Sequence, residues 1–406
     1  MSTQRIRRRP SLAGMQRAAA ERRASARVGV FPFDAERVSL LYNGRAAVYQ
    51  GLHRLGLEPG DPILVPAYSC GSEIDALWKA KLAMRFYRVR EDLSPDLDHL
   101  EKLCSSPGSG ARPRALYVIH YFGCPQPMRV LQDFARAHEL FLVEDNALGL
   151  YSRTTEGTPL GSFGDVGIFS FTKHLAVPDG GALVLGPGVP GRVETGRAPA
   201  RLPVLGKTKA LVENALDYRL PGLMPLVKRS ATGPLVRGLK SVLGIEHARP
   251  ASGAAGRRAS QAAWLGEAQL RLERADWRAS GLTQHLLRRI DHQQVCERRV
   301  RNLSLLERRL QIGPRLRPLI ERIPRSTCAP YYPVLVEDAA ALVAHLARHG
   351  VESQRFWDAV HPEVPIESFP FEAALKRRVV ALPIHQDVTL PQVERLAELL
   401  AGWSRS

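Results

Sequence analysis

Apolar positions between about residues 60 and 185 fall into short runs, and amphipathic stretches separate them. The runs hold four to six residues each, a length typical of buried strands. Predicted strands cover residues 63–66, 84–89, 115–120, 141–145, 168–171 and 182–185, and predicted helices cover 46–55 and 128–140. Because short buried strands alternate with helices, this region is predicted to be an α/β domain with a mainly parallel sheet.

The pattern changes after residue 186. Residues 187–260 are rich in Pro, Gly and basic side chains, and strands and helices alternate again from residue 331. The tail is therefore predicted to form a second, α+β domain. Four segments result: a mobile or weakly helical basic arm at 1–30, a large α/β domain at 31–190, a basic insertion at 191–260, and connecting helices with a small C-terminal α+β domain at 261–406.

The positive charge is concentrated in two of these segments. The chain of 406 residues has a formal net charge of +17. Residues 1–30 carry a net +7 and residues 191–260 a net +9, which leaves +1 for the rest. A nucleic-acid-binding protein usually has a basic face on the folded domain itself. Since the body of the chain is nearly neutral, nucleic acid is not expected as a partner.

Residues 222–245 combine leucine, valine and methionine with lysine and arginine. Such a segment could form a basic amphipathic element that contacts an anionic membrane surface. It could equally be an insertion that covers an active site or a subunit interface.

Cysteine content and apolar runs suggest a compartment. The five cysteines contain no Cys-x-x-Cys, so neither a disulfide framework nor a zinc site is expected. No apolar run approaches the ~18 residues of a membrane span, and no apolar stretch follows the Arg-rich start. We expect a cytoplasmic protein, with the inner face of the membrane as a candidate site of peripheral attachment.

Three motifs in the first domain could bind a ligand. The turn at residues 43–47 opens a helix, where free N–H groups suit a phosphate, although most such turns are only caps. Asp145 ends an apolar strand and is either a ligand group in the sheet crevice or an N-cap. Lys173 stands among small and apolar residues, which suits a Schiff-base lysine, although most lysines simply lie at the surface.

In this order, the motifs resemble the DegT/DnrJ/StrS family of pyridoxal-phosphate-dependent sugar aminotransferases. The resemblance covers roughly residues 38–186 and 280–403. It rests on residues 43–47 (Asn-Gly-Arg-Ala-Ala), 60–66 (Gly-Asp-Pro-Ile-Leu-Val-Pro), 120–123 (His-Tyr-Phe-Gly), 144–147 (Glu-Asp-Asn-Ala), 161–165 (Gly-Ser-Phe-Gly-Asp), 169–171 (Phe-Ser-Phe) and 382–385 (Leu-Pro-Ile-His).

The resemblance implies the fold-type I, aspartate aminotransferase-like architecture, and a homodimer with active sites at its interface. Lys173 would hold pyridoxal 5′-phosphate as an internal aldimine and then move the proton, and Asp145 would pair with the pyridine nitrogen. The remaining cofactor-binding residues implied are Gly44, Arg45, Ala46, Tyr68, Cys70 and Ser170. The family's usual reaction moves an amino group, commonly from glutamate, to a keto sugar carried by a nucleotide.

Four positions depart from the family's pattern. Cys70 stands where many members have an aromatic residue against the pyridine ring, and Tyr68 is the nearby substitute. Leu148 stands where Gln or His is usual. Two residues are missing before Lys173, as in a subgroup with a following Pro-Asp-Gly-Gly, and no Gly-Tyr-Asn-x-Arg stretch precedes Leu286. A sugar dehydratase-type enzyme with the same cofactor, and a catalytically silent protein that binds a membrane or partner, therefore stay open as alternatives.

Other motifs are interpreted as structural. Residues 186–191 match G-x-G-x-x-G after a strand, but two prolines remove N–H donors, so we interpret them as an exit loop. His120, His361 and His385 have no shared metal-ligand spacing and are expected to be structural or near the substrate. No hydrolase, P-loop or zinc-protease signature is present, and no metal is expected.

Overall fold

The computed structural model describes residues 5–11, 30–105, 111–191, 196–219 and 269–405. Most of the predicted basic insertion, including residues 222–245, lies outside the described residues. The described part contains two sheets, one in each half of the chain.

The first sheet has seven strands in the order β1-β7-β6-β5-β4-β2-β3. Strand β7 is antiparallel to both β1 and β6, and the other pairs are parallel. The strands are β1 (Val38–Leu41), β2 (Pro62–Pro66), β3 (Ala83–Tyr87), β4 (Ala115–Ile119), β5 (Phe141–Asp145), β6 (Val166–Ser170) and β7 (Gly181–Leu185). The central strands are buried along their whole length, as expected for a sheet covered on both faces. The prediction of a mainly parallel α/β domain is confirmed.

Five described helices accompany this half of the chain: α1 (Gly44–Arg54), α2 (Ser72–Lys79), α3 (Leu97–Ser105), α4 (Met128–Ala137) and α5 (Arg201–Arg219). Helix α1 packs closely on the sheet, because a Cβ added to Gly51 would lie 3.2 Å from Leu183 Cδ1. The sequence predicted α1 and α4 but not α2, α3 or α5. In α2 the apolar pattern is masked by Glu73 and Asp75, which are buried although charged.

The second sheet is antiparallel, in the order β10-β11-β9-β8. Its strands are β8 (Leu316–Pro318), β9 (Tyr331–Val336), β10 (Gln354–Arg355) and β11 (Val379–Pro383). Its helices are α6 (Gly281–Leu287), α7 (His292–Arg309), α8 (Ala339–Arg348), α9 (Pro370–Arg378) and α10 (Leu390–Arg405). The predicted α+β character of the tail is confirmed.

The N-terminal segment is attached to this second half. Ile6 forms a parallel bridge with Val351, donates from its amide to the Gly350 carbonyl at 3.0 Å, and accepts from the Glu352 amide at 2.8 Å. Arg7 pairs with the Glu352 carboxylate at 2.9 Å. The expectation of a mobile or weakly helical arm is therefore wrong for residues 5–11, because backbone pairing and apolar burial fix them.

Replacing Ile6 by alanine should destabilise the protein by about 2–4 kcal/mol, because the side chain is 1% exposed within the apolar core of the second half. Urea denaturation measures the effect. Ile312→Ala is the matched control, since Ile312 is 69% exposed and should cost less than about 0.5 kcal/mol. Equal effects of the two substitutions would contradict the observed docking.

Among the residues that the structure describes, no helix combines the length and the apolarity that crossing a bilayer requires.

Candidate active site

The start of helix α1 lies against the end of strand β6. A Cβ added to Gly44 would lie 3.3 Å from Ser170 Cβ and 3.4 Å from the Phe169 carbonyl oxygen. The Asn43 side chain caps the helix by accepting from the Ala46 amide at 2.9 Å. The first N–H groups of a helix have no partner within it, so backbone donors and the Ser170 side chain meet at this point. Such an arrangement suits an anion.

A glycine pair closes the same corner. The Gly180 amide donates to the Tyr42 carbonyl at 2.7 Å, and Gly180 has a φ of +122°. A Cβ on Gly181 would lie 2.6 Å from the Gly44 amide nitrogen, so only glycine allows β7 to start so close to the helix. The two glycines of the Pro-Asp-Gly-Gly sequence at 178–181 are thereby explained by close packing.

Asp145 ends strand β5 and is 7% exposed. One carboxylate oxygen accepts from the Tyr117 hydroxyl at 2.6 Å, and the other accepts from the Ala147 amide at 2.8 Å. Burial and then the nearby Glu73 carboxylate raise the pKa of Asp145, whereas Lys173 opposes this rise. Asp145 and Lys173, which the sequence singled out separately, therefore lie within electrostatic reach of each other.

Glu144 points to the opposite face of the strand, as the alternation of side chains requires. Its carboxylate binds His120 Nε2 at 2.8 Å and accepts from the amides of Gly161, Phe163 (2.8 Å) and Gly164 (3.0 Å). The Glu-Asp pair of the sequence thus separates into an acid that holds a loop and an acid that faces Lys173. His120 is part of the loop anchor.

Lys173 lies in a tight turn directly after β6. The amides of His174 and Leu175 both donate to the Phe171 carbonyl, at 2.9 and 2.8 Å. Lys173 acts electrostatically on Cys70 as well as on Asp145. The predicted residues therefore form two neighbouring groups: Lys173 with Asp145 and Cys70, and Ser170 with the start of α1.

Tyr68 and Cys70 lie on the segment that follows β2. The Tyr68 ring is fully buried and stacks on Tyr121 with ring centres 5.5 Å apart, and its hydroxyl has no hydrogen-bond partner among the described residues. The Cys70 thiol donates to Glu73 at 2.7 Å, and its amide donates to the same carboxylate at 2.8 Å. Burial, reinforced by Glu73, raises the pKa of Cys70 to about 12. Cys70 is therefore a neutral thiol here.

Residues 34–187 match the sequence model of the DegT/DnrJ/EryC1/StrS aminotransferase family. The match is confined to this part of the chain. A dTDP-4-dehydro-2,3,6-trideoxy-D-glucose 4-aminotransferase of Saccharopolyspora spinosa is 32% identical over 151 residues, and a dTDP-3-amino-3,4,6-trideoxy-alpha-D-glucose transaminase of Streptomyces venezuelae is 33% identical over 147 residues. Each match covers 36% of this chain and spans only 38% of the relative's length.

Solved structures of the family share the whole fold. DesV of S. venezuelae, in complex with a ketimine intermediate, superposes with a TM-score of 0.61 at 20% identity, over 97% of this chain and 94% of that one. A DegT/DnrJ/EryC1/StrS aminotransferase from Brucella abortus gives a TM-score of 0.60 at 17% identity, over 92% and 87%. At such identities the likeness establishes the fold, and the predicted fold-type I architecture is confirmed.

Two residues beside the Tyr68–Cys70 segment were not indicated by any sequence motif. Glu73 is buried beside Cys70, and Lys376 reaches the same segment from helix α9. The Lys376 amine donates to the carbonyls of Ser69 at 2.7 Å, Trp357 at 2.9 Å and Ala359 at 3.1 Å. Lys376 thereby connects the second half of the chain to the Tyr68–Cys70 segment. Lys376 and Ser69 are 307 positions apart in the sequence, so no local motif indicates their contact.

The remaining interpretations concern loops. The Arg37 guanidinium donates to the carbonyls of Gly186, Pro187, Val189 and Gly191. This exit loop turns carbonyl oxygens toward a cation, which is the reverse of a phosphate cradle and agrees with the rejection of a dinucleotide site. Leu148 is 3% exposed and packs in the main core, so it is an apolar filler.

Two further histidines have defined neighbours. His385 Nε2 binds the Arg7 carbonyl at 2.7 Å, so His385 helps to hold the N-terminal segment. His361 is buried near Asp75 and Glu73, whose charges oppose the lowering of its pKa by burial.

His174 connects the Lys173 turn to the second half of the chain. Its Nδ1 accepts from Arg299 at 2.8 Å, and its Nε2 binds the Ala147 carbonyl at 3.0 Å. Burial, and then the Arg299 charge, lower the pKa of His174 well below 6.5. The imidazole is therefore neutral in the folded protein at neutral pH.

The neutral His174 should make the protein sensitive to acid. Below about pH 6.5 the unfolded chain binds a proton at this residue and the folded chain does not, so stability falls by up to about 1.4 kcal/mol per pH unit. The wild type should lose about 2 kcal/mol relative to His174→Gln between pH 6.5 and 5, as measured by urea denaturation. His138→Gln, at a partly exposed histidine, is the control. If the free energy of unfolding depends on pH in the same way for wild type and His174→Gln, the predicted acid sensitivity is wrong.

Proposed function

We propose that this chain is a pyridoxal-phosphate-dependent aminotransferase that moves an amino group from an amino acid to a keto sugar. The observation that carries the proposal is the meeting of Lys173 with the buried Asp145 at the carboxyl ends of adjacent parallel strands. Ligands of open α/β sheets bind at that edge. The aminotransferase family whose sequence model residues 34–187 match supports the same chemistry.

The residues present fit the cofactor. A lysine amine, a buried carboxylate and an amide-lined helix start are the three groups that an aldehyde, a pyridine nitrogen and a phosphate require. We assign Lys173 to the aldehyde, Asp145 to the pyridine nitrogen, and the Gly44, Arg45 and Ala46 turn with Ser170 to the phosphate. Tyr68 and Cys70 complete the proposed cofactor-binding set. When bound, pyridoxal phosphate supplies an electron sink for the substrate carbon that loses its proton.

The chain's own groups define the conditions of this chemistry. Tyr117 and the Ala147 amide hold both oxygens of Asp145 in place, so the carboxylate is oriented before any ligand arrives. A cation facing Asp145 offsets the cost of burying its charge, as Lys173 already does in part. A protonated ring nitrogen would also offset the cost of burying the Asp145 charge, and Lys173 would then be free to carry a proton to and from the substrate.

For the substrates, we propose glutamate as the amino donor and a nucleotide-linked keto sugar as the acceptor, with a lipid-linked sugar as the other form of the same chemistry. Support comes from the printed activities of the two dTDP-sugar relatives, although the matches span 38% of their length. A role in polysaccharide or cell-surface glycan synthesis in the cytoplasm, as a homodimer, completes the proposal. Light scattering of the purified protein tests the dimer.

Contact with an anionic membrane surface is a further part of the proposal. On α5, Leu202, Leu205 and Val212 share one face and are 82%, 61% and 43% exposed. Arg201 and Lys209 lie beside them on the same helix. Exposed apolar side chains can enter a lipid interface, and basic side chains beside them attract acidic head groups. Co-sedimentation with phosphatidylserine vesicles should show salt-sensitive binding that Leu205→Glu abolishes; no binding at low salt would disprove it.

An absorbance spectrum tests the proposed activity. The purified protein with pyridoxal phosphate should show a visible band that borohydride traps on Lys173. Glutamate should bleach that band by giving its amino group to the cofactor and leaving as 2-oxoglutarate. A visible band without any response to a panel of amino donors would favour the dehydratase-type alternative. A protein that takes up no pyridoxal phosphate would be a silent binding protein, and the proposal would be wrong.

A further inference from the structure

We infer that Arg299, acting through His174, is a positioning residue that aligns Lys173 and Asp145 with each other. The inference rests on the proposed function, since it concerns how the two proposed cofactor-binding groups are held. Arg299 touches neither of them directly. Its influence passes through one imidazole and two backbone segments.

Arg299 is a fully buried cation on helix α7, and the groups that accept its hydrogen bonds within the described part of the chain are all neutral. It donates from Nη1 to His174 Nδ1 at 2.8 Å, from Nη2 to the His174 carbonyl, and from Nε and Nη2 to Gln386 Oε1 at 2.8 and 2.7 Å. Burying a cation costs several kcal/mol unless its donors are satisfied. An apolar side chain would fill this space at lower cost, so packing alone does not account for an arginine here.

The two bonds to His174 fix the turn that carries Lys173. One bond holds the carbonyl of the residue directly after Lys173, and the other holds that residue's ring. Gln386 reinforces the first by donating to the same carbonyl at 3.1 Å. The peptide between His174 and Leu175, one residue beyond Lys173, is therefore held by two side chains from the second half of the chain.

The same imidazole reaches the strand that carries Asp145. Since Nδ1 accepts from a cation, the ring proton is on Nε2, which donates to the Ala147 carbonyl at 3.0 Å. The Ala147 amide in turn donates to Asp145 at 2.8 Å. One series of hydrogen bonds thus runs from Arg299 through His174 and Ala147 to Asp145.

This series couples two groups on different strands to one guanidinium. Without it, Lys173 and Asp145 would both remain present, but the turn and the Asp145 segment could shift independently. A displacement of about 1 Å between reacting groups can reduce a rate about 10²-fold. Lysine cannot replace arginine here, because it lacks the planar fork that holds a ring nitrogen and a carbonyl together.

Asn302 offers a matched control one turn along the same helix. It is 1% exposed and donates to the carbonyls of Ile384 at 3.3 Å, His385 at 3.1 Å and Val388 at 2.8 Å. It therefore joins helix α7 to the segment that follows strand β11 without touching the Lys173 turn. Loss of buried hydrogen bonds at Asn302 should cost stability but not alignment.

The experiment compares Arg299→Met, Arg299→Lys and Asn302→Leu with wild type at full length. The readouts are thermal unfolding, the rate of pyridoxal phosphate uptake onto Lys173, visible circular dichroism per bound cofactor, and single-turnover amino transfer from glutamate. We expect both Arg299 variants to bind the cofactor but lose at least half of the visible circular dichroism and about 10²-fold in rate. Asn302→Leu should keep both values within about threefold, whatever its melting temperature.

His174 variants separate alignment from packing. His174→Gln can accept from Arg299 and donate to the Ala147 carbonyl, so it should retain most of the dichroism and rate, whereas His174→Leu should match Arg299→Met. If folded Arg299→Met is indistinguishable from Asn302→Leu, or if Arg299→Met fails to fold while His174→Leu keeps the wild-type dichroism and rate, the inference is wrong and the proposed function stands. If wild type takes up no pyridoxal phosphate, both fail together.

Discussion

Lys173→Ala should remove the visible absorbance band and lower amino transfer by at least about 10³-fold, because the variant loses both the cofactor's attachment point and the group that moves the proton. The expectation rests on the position of Lys173 in the turn after β6, where its charge interacts with Asp145 and Cys70. Absorbance after borohydride reduction and single-turnover rates are the measurements. Lys102→Ala, at an exposed lysine of helix α3, is the control and should be unchanged.

Lys376 defines the outcome that would contradict this assignment. It is a buried lysine in the same region, and burial lowers its pKa to about 8. Its amine already donates to three carbonyl groups, which is why we do not assign it to the cofactor. A trappable band that survives Lys173→Ala and disappears in Lys376→Ala would overturn the assignment.

Adjacent carboxylates on strand β5 should give opposite results when each is converted to its amide. Glu144→Gln should cost about 2–4 kcal/mol of stability, because an amide can accept with only one oxygen where the carboxylate accepts from three amides. Asp145→Asn should keep the fold but lower amino transfer about 10²-fold or more, equivalent to about 2.7 kcal/mol, since it removes the charge proposed for the ring nitrogen.

Urea denaturation and single-turnover kinetics on both variants measure these two effects, and each variant serves as the other's control. The prediction fails if Asp145→Asn unfolds as readily as Glu144→Gln, or if it transfers amino groups at the wild-type rate. Either result would mean that the Asp145 carboxylate serves the fold rather than the chemistry.

Much of the large sheet could be predicted from local pattern, and the reason is its burial. Strands covered on both faces are continuous apolar runs, as in β2, β4 and β6. Helix α2 was missed because Glu73 and Asp75 interrupt its apolar face while being buried. The docking of residues 5–11 was missed because their Arg-rich sequence signals solvent exposure, whereas Ile6, Pro10 and Ser11 are buried.

For the candidate site, local motifs indicated residues on neighbouring strand ends but not the groups that reach them from a distance. Gly44, Asp145, Ser170 and Lys173 follow the edge of one sheet, so chain order was sufficient to associate them. Arg299 contacts the Lys173 turn across 125 positions of sequence. No periodicity encodes such a contact, because it depends on how the two halves pack.

The pairing of the N-terminal segment has a consequence for biosynthesis. Arg7 and Glu352 are separated by 345 positions, and ribosomes add about 5–20 residues per second. The segment therefore waits about 20–70 s after its own synthesis before its partner exists. During that interval the large domain can fold as a unit while residues 5–11 wait for their partner, so a segment that is made before the large domain is among the last to reach its native place.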